Sequence, residues 1–353
     1  MRHRAFPGSG PEVEARYQRA GQWLLAAIYN SERAASWCKS NGVALTKAQS
    51  EGIGSAGGFT VPTELSNAIL DIRDQYGAFR RTARLVPMAS DNTVIARHTG
   101  GGITTAFFAE NTAVTASTVS MDSIGLTAKK LSSVVLISSE LEDDAAVDIV
   151  DFVANEIGLA FALKEDDCAF NGDGTSTYGT MRGLAPIVLD GFHTKAKVTA
   201  ASGHNTFLTL DATDLGNLLV AVRASAIPNA AWFCSQTCFA STFVRLSAGS
   251  GYLDNRNVNG IDTPYYQGFP VILTQKLPLV TTTLAGSVML AFGDMYAGGV
   301  LGQRRGITIA RSEHPHLDTD QITILATERF HTVVHDLGDT ASFGSLAALV
   351  GGA

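Results

Sequence analysis

No apolar run in the chain approaches the roughly 20 residues that a membrane-spanning helix requires. The most apolar N-terminal stretch, Trp23–Tyr29 (WLLAAIY), is short and lacks a small-residue cleavage site. A secretory signal is therefore not expected. Cysteine is scarce: the 353 residues hold four, Cys38, Cys168, Cys234 and Cys238. Only the last two are close in sequence, and without a second pair that spacing does not specify zinc. Buried thiols in a reducing compartment, such as a bacterial cytoplasm, are the simpler reading. Charge is also thin, at 17% of residues with a net of −7. That overall acidity argues against a sequence-reading DNA binder.

What is present is a large apolar fraction, 45%. It is enough for two compact units. The charge is unevenly spread. Residues 1–50 carry Arg2, Arg4, Arg16, Arg19, Arg33, Lys39 and Lys47 against Glu12, Glu14 and Glu32. That arm is +4 and the remainder −11. A basic arm on an acidic body suits contact with nucleic acid or with a partner's acidic face. Residues 12–38 have helical spacing, with Val13, Tyr17, Ala20, Leu24 and Ile28 on one side. Four glycines between Gly52 and Gly58 then form a hinge.

Beyond the hinge the pattern is mixed α+β, with no βαβ repeat. Thr63 can cap a helix running to about Tyr76. Residues 98–131 read as a two-stranded ribbon, with strands at Ala106–Ala109 and Val119–Leu131 and a slip near Ser123. A lone ribbon is marginal in water, so it must lie on something, for which another copy of the chain is a natural candidate. Ser139 and Glu142 form a capping-box pattern, and helical spacing continues to Phe170 without proline. Asn171-Gly172 ends that helix. Asp211 caps a helix stopped by Pro228; Trp232–Cys234, Pro270–Leu273, Ile307–Ala310, Gln321–Ala326 and Phe330–Val334 read as strands. The tail from Ala347 reads as a loose end.

The stretch FNGDGTSTYGTMRGL, residues 170–184, is dense in glycine. A phosphate loop would need Lys-[ST] where Thr180-Met181 stand, and it would precede its helix rather than follow it. His314, His316, His331 and His335 suggest a metal, but on a strand His331 and His335 sit about 13 Å apart. No G-x-S-x-G elbow occurs. Glu142-Asp143-Asp144 suits the start of the long helix, whereas Glu165-Asp166-Asp167 lies near its end, where the helix dipole disfavours it. A cation from another chain is the expected partner of that second cluster. A metal-dependent hydrolase on the 314–336 histidines is the reading from another class.

Several separated motifs resemble the major capsid proteins of tailed bacteriophages, with the Hong Kong 97 (HK97-like) fold. They are Gly57-Gly-Phe-Thr-Val-Pro-Thr-Glu-Leu65; Ala162–Asp166 leading through Asn171–Gly174 to Arg182-Gly-Leu184; Gln267–Ile272; and Gly293-Asp294 with Ile324–Arg329. In order they span about residues 52–335. The resemblance implies an N-terminal arm over 1–56, a peripheral domain over 57–97, 132–183 and 305–353 (including the C-terminal tail), an extended loop at 98–131, and an axial domain at 184–304. It makes FNGDGTSTYGTMRGL the bend after the spine helix.

It also implies self-assembly as pentamers and hexamers into an icosahedral virion shell around double-stranded DNA. Assembly would take place in the bacterial host cytoplasm, with a portal protein and scaffolding or decoration proteins as further partners. No cofactor, metal, enzymatic activity or membrane partner is implied. Candidate inter-subunit contacts are Leu24, Leu25 and Ile28 of the arm. On and beside the ribbon they are Phe107, Phe108, Glu110, Met121, Ile124, Leu126, Lys129 and Lys130. Arg16 and Arg19 are the candidates for facing the lumen and its DNA. Some relatives crosslink their subunits; the matching positions are Val114, Asp320 and Thr327, none of which has the needed group, so a non-covalent shell is expected. About 55 residues precede the first motif, so a scaffolding segment is either separate or already removed. An encapsulin-like compartment enclosing protein cargo is the alternative within the same fold.

Overall fold

The computed structural model describes residues 32–41, 77–98, 105, 107, 121–258, 261–280, 282–316 and 321–353. Helix α1 (Glu32–Ser40) covers the end of the expected N-terminal helix. The rest of that arm, the glycine hinge and the helix expected from Thr63 lie outside the described residues. Helix α2 (Ala78–Thr82) leads into β1 (Arg84–Pro87). Strands β2 (Asn92–His98) and β3 (Met121–Thr127) form an antiparallel ribbon. After one residue the chain enters β4 (Lys129–Ser138) and then α3 (Ser139–Asn171). At 33 residues, α3 is about 50 Å long.

The register of the ribbon is continuous through Ser123, so the expected slip is absent. Instead Met121 faces out, while Ile124, Leu126 and Ala128 face in. The alternation changes because the two groups lie on opposite faces. The single strand expected over Val119–Leu131 is two strands. Ala128 N–H donates to Asp91 O, and there the chain turns from the ribbon into the sheet.

Helix α4 (Leu184–Val188), β5 (Lys197–Thr199) and α5 (Ala212–Val220) follow the bend. Asp211 caps α5 as expected, accepting from Asp214 N–H at 2.9 Å while Asp214 accepts from Asp211 N–H at 3.2 Å. Helix α5 ends at Val220, ahead of Pro228, which sits in a separate 3-10 turn. Strand β6 (Ala231–Cys234) precedes a helical stretch over 236–250. Then come β7 (Leu253–Val258), β8 (Ile261–Tyr266), β9 (Phe269–Leu273), β10 (Val288–Gly293) and α6 (Met295–Gly298). Strands β11 (Gly299–His316) and β12 (Gln321–Val334) form a long antiparallel pair, and β13 (Leu346–Val350) is last. The two short strands expected over 321–334 are one.

The strands make a four-stranded sheet, β1-β11-β12-β4, and a seven-stranded sheet, β5-β13-β10-β6-β9-β8-β7. In β6, Trp232 and Cys234 face one core and Ala231 and Phe233 the other, so the seven-stranded sheet is covered on both sides. Trp232 packs at a tilt against Phe292, 4.4 Å between ring centres, and donates to Tyr266 O at 3.3 Å. The second core also takes Phe79 from α2, Phe170 from the end of α3, and Leu301 and Val334 from the other sheet. It joins the two sheets.

The C-terminal tail is not a loose end. Leu346, Ala347, Ala348, Leu349 and Val350 are all buried, and β13 pairs with β10 on one side and β5 on the other. Small residues at 347 and 348 permit a central strand to sit tightly between two cores. A division at 304/305 also falls inside β11, which runs unbroken from Gly299.

Candidate assembly interface

The glycine-rich bend closes on itself. Gly174 N–H donates to Met181 O at 2.9 Å and Gly183 N–H to Gly172 O at 2.7 Å. A side chain on Gly172 would meet Cys168 O at 2.5 Å, and one on Gly183 would meet Ala169 O at 2.8 Å. Glycine is needed at both because backbone passes backbone there. These two amides are spent within the bend, whose Met181 is buried against Thr332 of β12. The bend fixes the end of α3 to the four-stranded sheet.

The acidic cluster of α3 finds its cation in the same chain, not in a neighbour. Arg80 of α2 grips Glu165 through both oxygens, at 2.6 and 2.8 Å, and reaches Glu328 of β12 at 3.4 Å. Its Nη1 donates to Gln303 of β11 at 3.2 Å. Arg80 is 4% exposed and both glutamates 0%. Asp166 accepts from Ala78 N–H and Phe79 N–H at 3.0 and 2.9 Å, holding the start of α2. Asp167 contacts Lys164 and Asn171. The sequence distances, 85 and 248 residues from Arg80 to its glutamates, hide this lock from local reading.

Burial pushes the Asp166 carboxyl up to about 6, against the two amides that favour its charged form. A folded-state value above the unfolded 3.8 adds stability that is present below pH 3.8 and lost as pH rises through about 6. The Asp166→Asn variant should lack this dependence. Urea melts at pH 4.5 and 7 test it: the difference between wild type and variant should change by roughly 1–3 kcal/mol. An unchanged difference would place Asp166 in water.

The candidate contact residues fall into three groups. Leu24, Leu25, Ile28, Arg16, Arg19, Phe108 and Glu110 lie outside the described residues. Phe107, Met121 and Lys130 are exposed, and Lys129 is half-buried. Ile124 and Leu126 are corrected: they pack with Met88, Ala128 and Val300 inside their own chain. They root the ribbon to the four-stranded sheet and have no surface left for a neighbour. Near the ribbon's far end Arg97 pairs with Asp122 at 3.0 Å and donates to His335 O.

Among the described residues no group of metal-ligating side chains gathers at His331 or His335, and the side chains of His314 and His316 lie outside the described ones. His331 sits on β12 opposite Gly302 and His335 lies past its end. Burial pushes the His331 imidazole down to about 4, helped by Lys129. Among the described residues a possible ligand group lies elsewhere, at His204, Asp211 and Asp214. There Asp214 already accepts from Ala201 N–H, Asp211 N–H and His204 Nδ1–H. That group is the cap of α5. Val114 and Asp320 lie outside the described residues; Thr327 is half-buried, and Glu328 points to the opposite face, into the Arg80 lock.

The model of the phage capsid family matches residues 57–336. This chain belongs to that family. The capsid chain is 24% identical over 328 residues to the major capsid protein of Klebsiella oxytoca phage phiKO2, covering 89% of this chain and 73% of that one. Its fold is similar to the capsid of a native GTA particle, with 17% identity, 87% and 95% of the two chains covered, and a TM-score of 0.56. A structure from Mycobacterium phage Bobi matches at 14% identity, 87% and 96% coverage and a TM-score of 0.55. The SrpI encapsulin of Synechococcus elongatus PCC 7942 matches at 13%, 90% and 94%, with a TM-score of 0.51. The fold is of the Hong Kong 97 type.

Proposed function

We propose that this chain is a major capsid protein of a tailed phage or phage-derived particle. It assembles through pentamers and hexamers into a closed, non-covalent icosahedral shell around double-stranded DNA. Assembly takes place in the bacterial cytoplasm, with a portal and scaffolding or decoration proteins as further partners, and the chain has no catalytic role. The carrying observation is the ribbon. Its root is built into the core of the chain, while Phe107 beyond its described stem is wholly exposed. An exposed aromatic between the two strands of the ribbon is apolar surface awaiting a partner. The likeness to an encapsulin keeps a protein-filled compartment as the second reading.

Sedimentation and electron microscopy of the expressed full chain test this: closed particles are the expected result, and a persistent monomer overturns it. Nucleic acid inside particles from the native source separates the two readings. Boiled in denaturant, the particles should run as single chains near 37.2 kDa. A ladder of covalent oligomers would refute the non-covalent shell.

A further inference from the structure

Two histidines lie where the ribbon meets the four-stranded sheet. A side chain on Gly302 of β11 would strike Met88 at 2.8 Å and Leu126 at 2.9 Å, so β3 of the ribbon lies over that point. His331 of β12 stands opposite Gly302 in register and shares its face. It is 9% exposed, and its Nδ1 is buried with no hydrogen-bond partner among the described residues. At the other end of the ribbon Arg97 donates to His335 O. The His335 Nδ1 is buried in the same way, again with no partner among the described residues. A proton added to either ring brings a charge to a place poor in water and acceptors.

The charges around both rings favour the neutral form. Burial holds the His331 imidazole at about 4, and Lys129 of β4 acts the same way. Two residues along the same face of β12, Arg329 stands in a row with Arg305 of β11 and Lys130 of β4. Asp91 meets that row, 3.0 Å from Arg329 and 3.6 Å from Arg304. Burial lowers His335 too; Asp336 opposes this, while Arg97 of the ribbon, Arg84 of β1 and Arg223 reinforce it. Asp336 is already paired with Arg223 at 2.7 Å. The ribbon's own carboxylate, Asp122, pairs with Arg97 at 3.0 Å and is held below its ordinary value by Ser123 N–H and then by Arg97. Mild acid therefore leaves the Arg97–Asp122 pair charged.

We propose that His331 and His335 form an acid-sensitive latch under the ribbon: once protonated, they release its seat from the sheet while the two cores stay closed. The single residue Ala128, between β3 and β4, supplies the pivot. A base whose folded value lies below its ordinary 6.5 gives stability that is complete above about pH 6.5 and is lost as pH falls toward 4. Asp166 has the opposite sign, so the two effects separate by place in the fold. Between pH 7 and pH 5, His331 alone should raise the population of the released ribbon roughly 10–30-fold. The latch belongs to the single chain and does not depend on assembly.

Amide hydrogen exchange of the full chain at pH 7 and pH 5, corrected for the chemical exchange rate, tests this. Amides of β2 and β3 should lose protection roughly 10–30-fold in acid, while those of β10 and β13 keep theirs. The His331→Gln/His335→Gln chain should lose that pH dependence in the ribbon and match wild type in β13. Equal ribbon protection at both pH values in the wild-type chain overturns the latch, whether or not the variant folds. The same acid loss in a folded double variant overturns it in favour of carboxylates. A loss shared by β10 and β13 also overturns it, because the whole chain is then opening. A chain that forms no particles but shows the ribbon-specific loss refutes the proposed shell and supports the latch.

Discussion

Arg80→Ala should lower the unfolding free energy of the free subunit by about 3–5 kcal/mol. That is a large part of the roughly 5–15 kcal/mol that holds a typical domain. The variant leaves Glu165 and Glu328, both fully buried, facing each other without the guanidinium between them. The loss is therefore more than one ion pair: two carboxylates must be desolvated, protonated or moved. Arg80→Lys should rescue only in part, because an ammonium cannot bind Glu165 through two parallel bonds while reaching Gln303. Arg256 and Asp254 supply the control. They are also paired, at 3.1 Å, but both are more than half exposed. Arg256→Ala should change stability little, because water screens such a pair. Urea unfolding followed by circular dichroism compares the variants. Equal, small losses for Arg80→Ala and Arg256→Ala would mean that water reaches the lock.

How much of this was legible in the sequence depended on the range of the interaction. The spine helix was readable because its spacing, its uninterrupted run and the Asn171-Gly172 stop are all local. The cap at Asp211 and the strand at Trp232–Cys234 were readable for the same reason. The family was readable because backbone-dictated glycines and prolines sit in fixed order, as at Gly172 and Gly183, where two backbones touch. The lock was not. Glu165-Asp166-Asp167 looked like a helix end in need of a foreign cation, and nothing near it in sequence named Arg80. The inward turn of Ile124 and Leu126 was equally hidden. Alternation gives two faces, but only the sheet lying under the ribbon decides which one is inside. The row of Arg305, Arg329 and Lys130 exists only in the register of three strands that join distant parts of the chain.

Truncation after Ser345 should abolish folding, and the tail shows why composition misled. Leu346–Val350 is small and apolar and is followed by Gly351-Gly352, which reads as a frayed end. In the structure it is an interior strand, second of seven, with Leu346, Ala348 and Val350 in one core and Ala347 and Leu349 in the other. Burying two leucines and a valine contributes about 1.5–3 kcal/mol each. Two alanines and the ladder bonds to β10 and β5 add to that, so removal costs on the order of the whole stability of the domain. Removal also leaves β5 without a partner, exposes one edge of β10 and opens the core that joins the sheets. The truncated chain should collect in the insoluble fraction or lack a cooperative melt. A graded version avoids that extreme. Leu349→Ala, at a site with no exposure, should cost about 2–5 kcal/mol in urea melts. A soluble, cooperatively melting chain lacking residues 346–353, with Leu349→Ala near wild type, would show that the second sheet closes without its C-terminal strand.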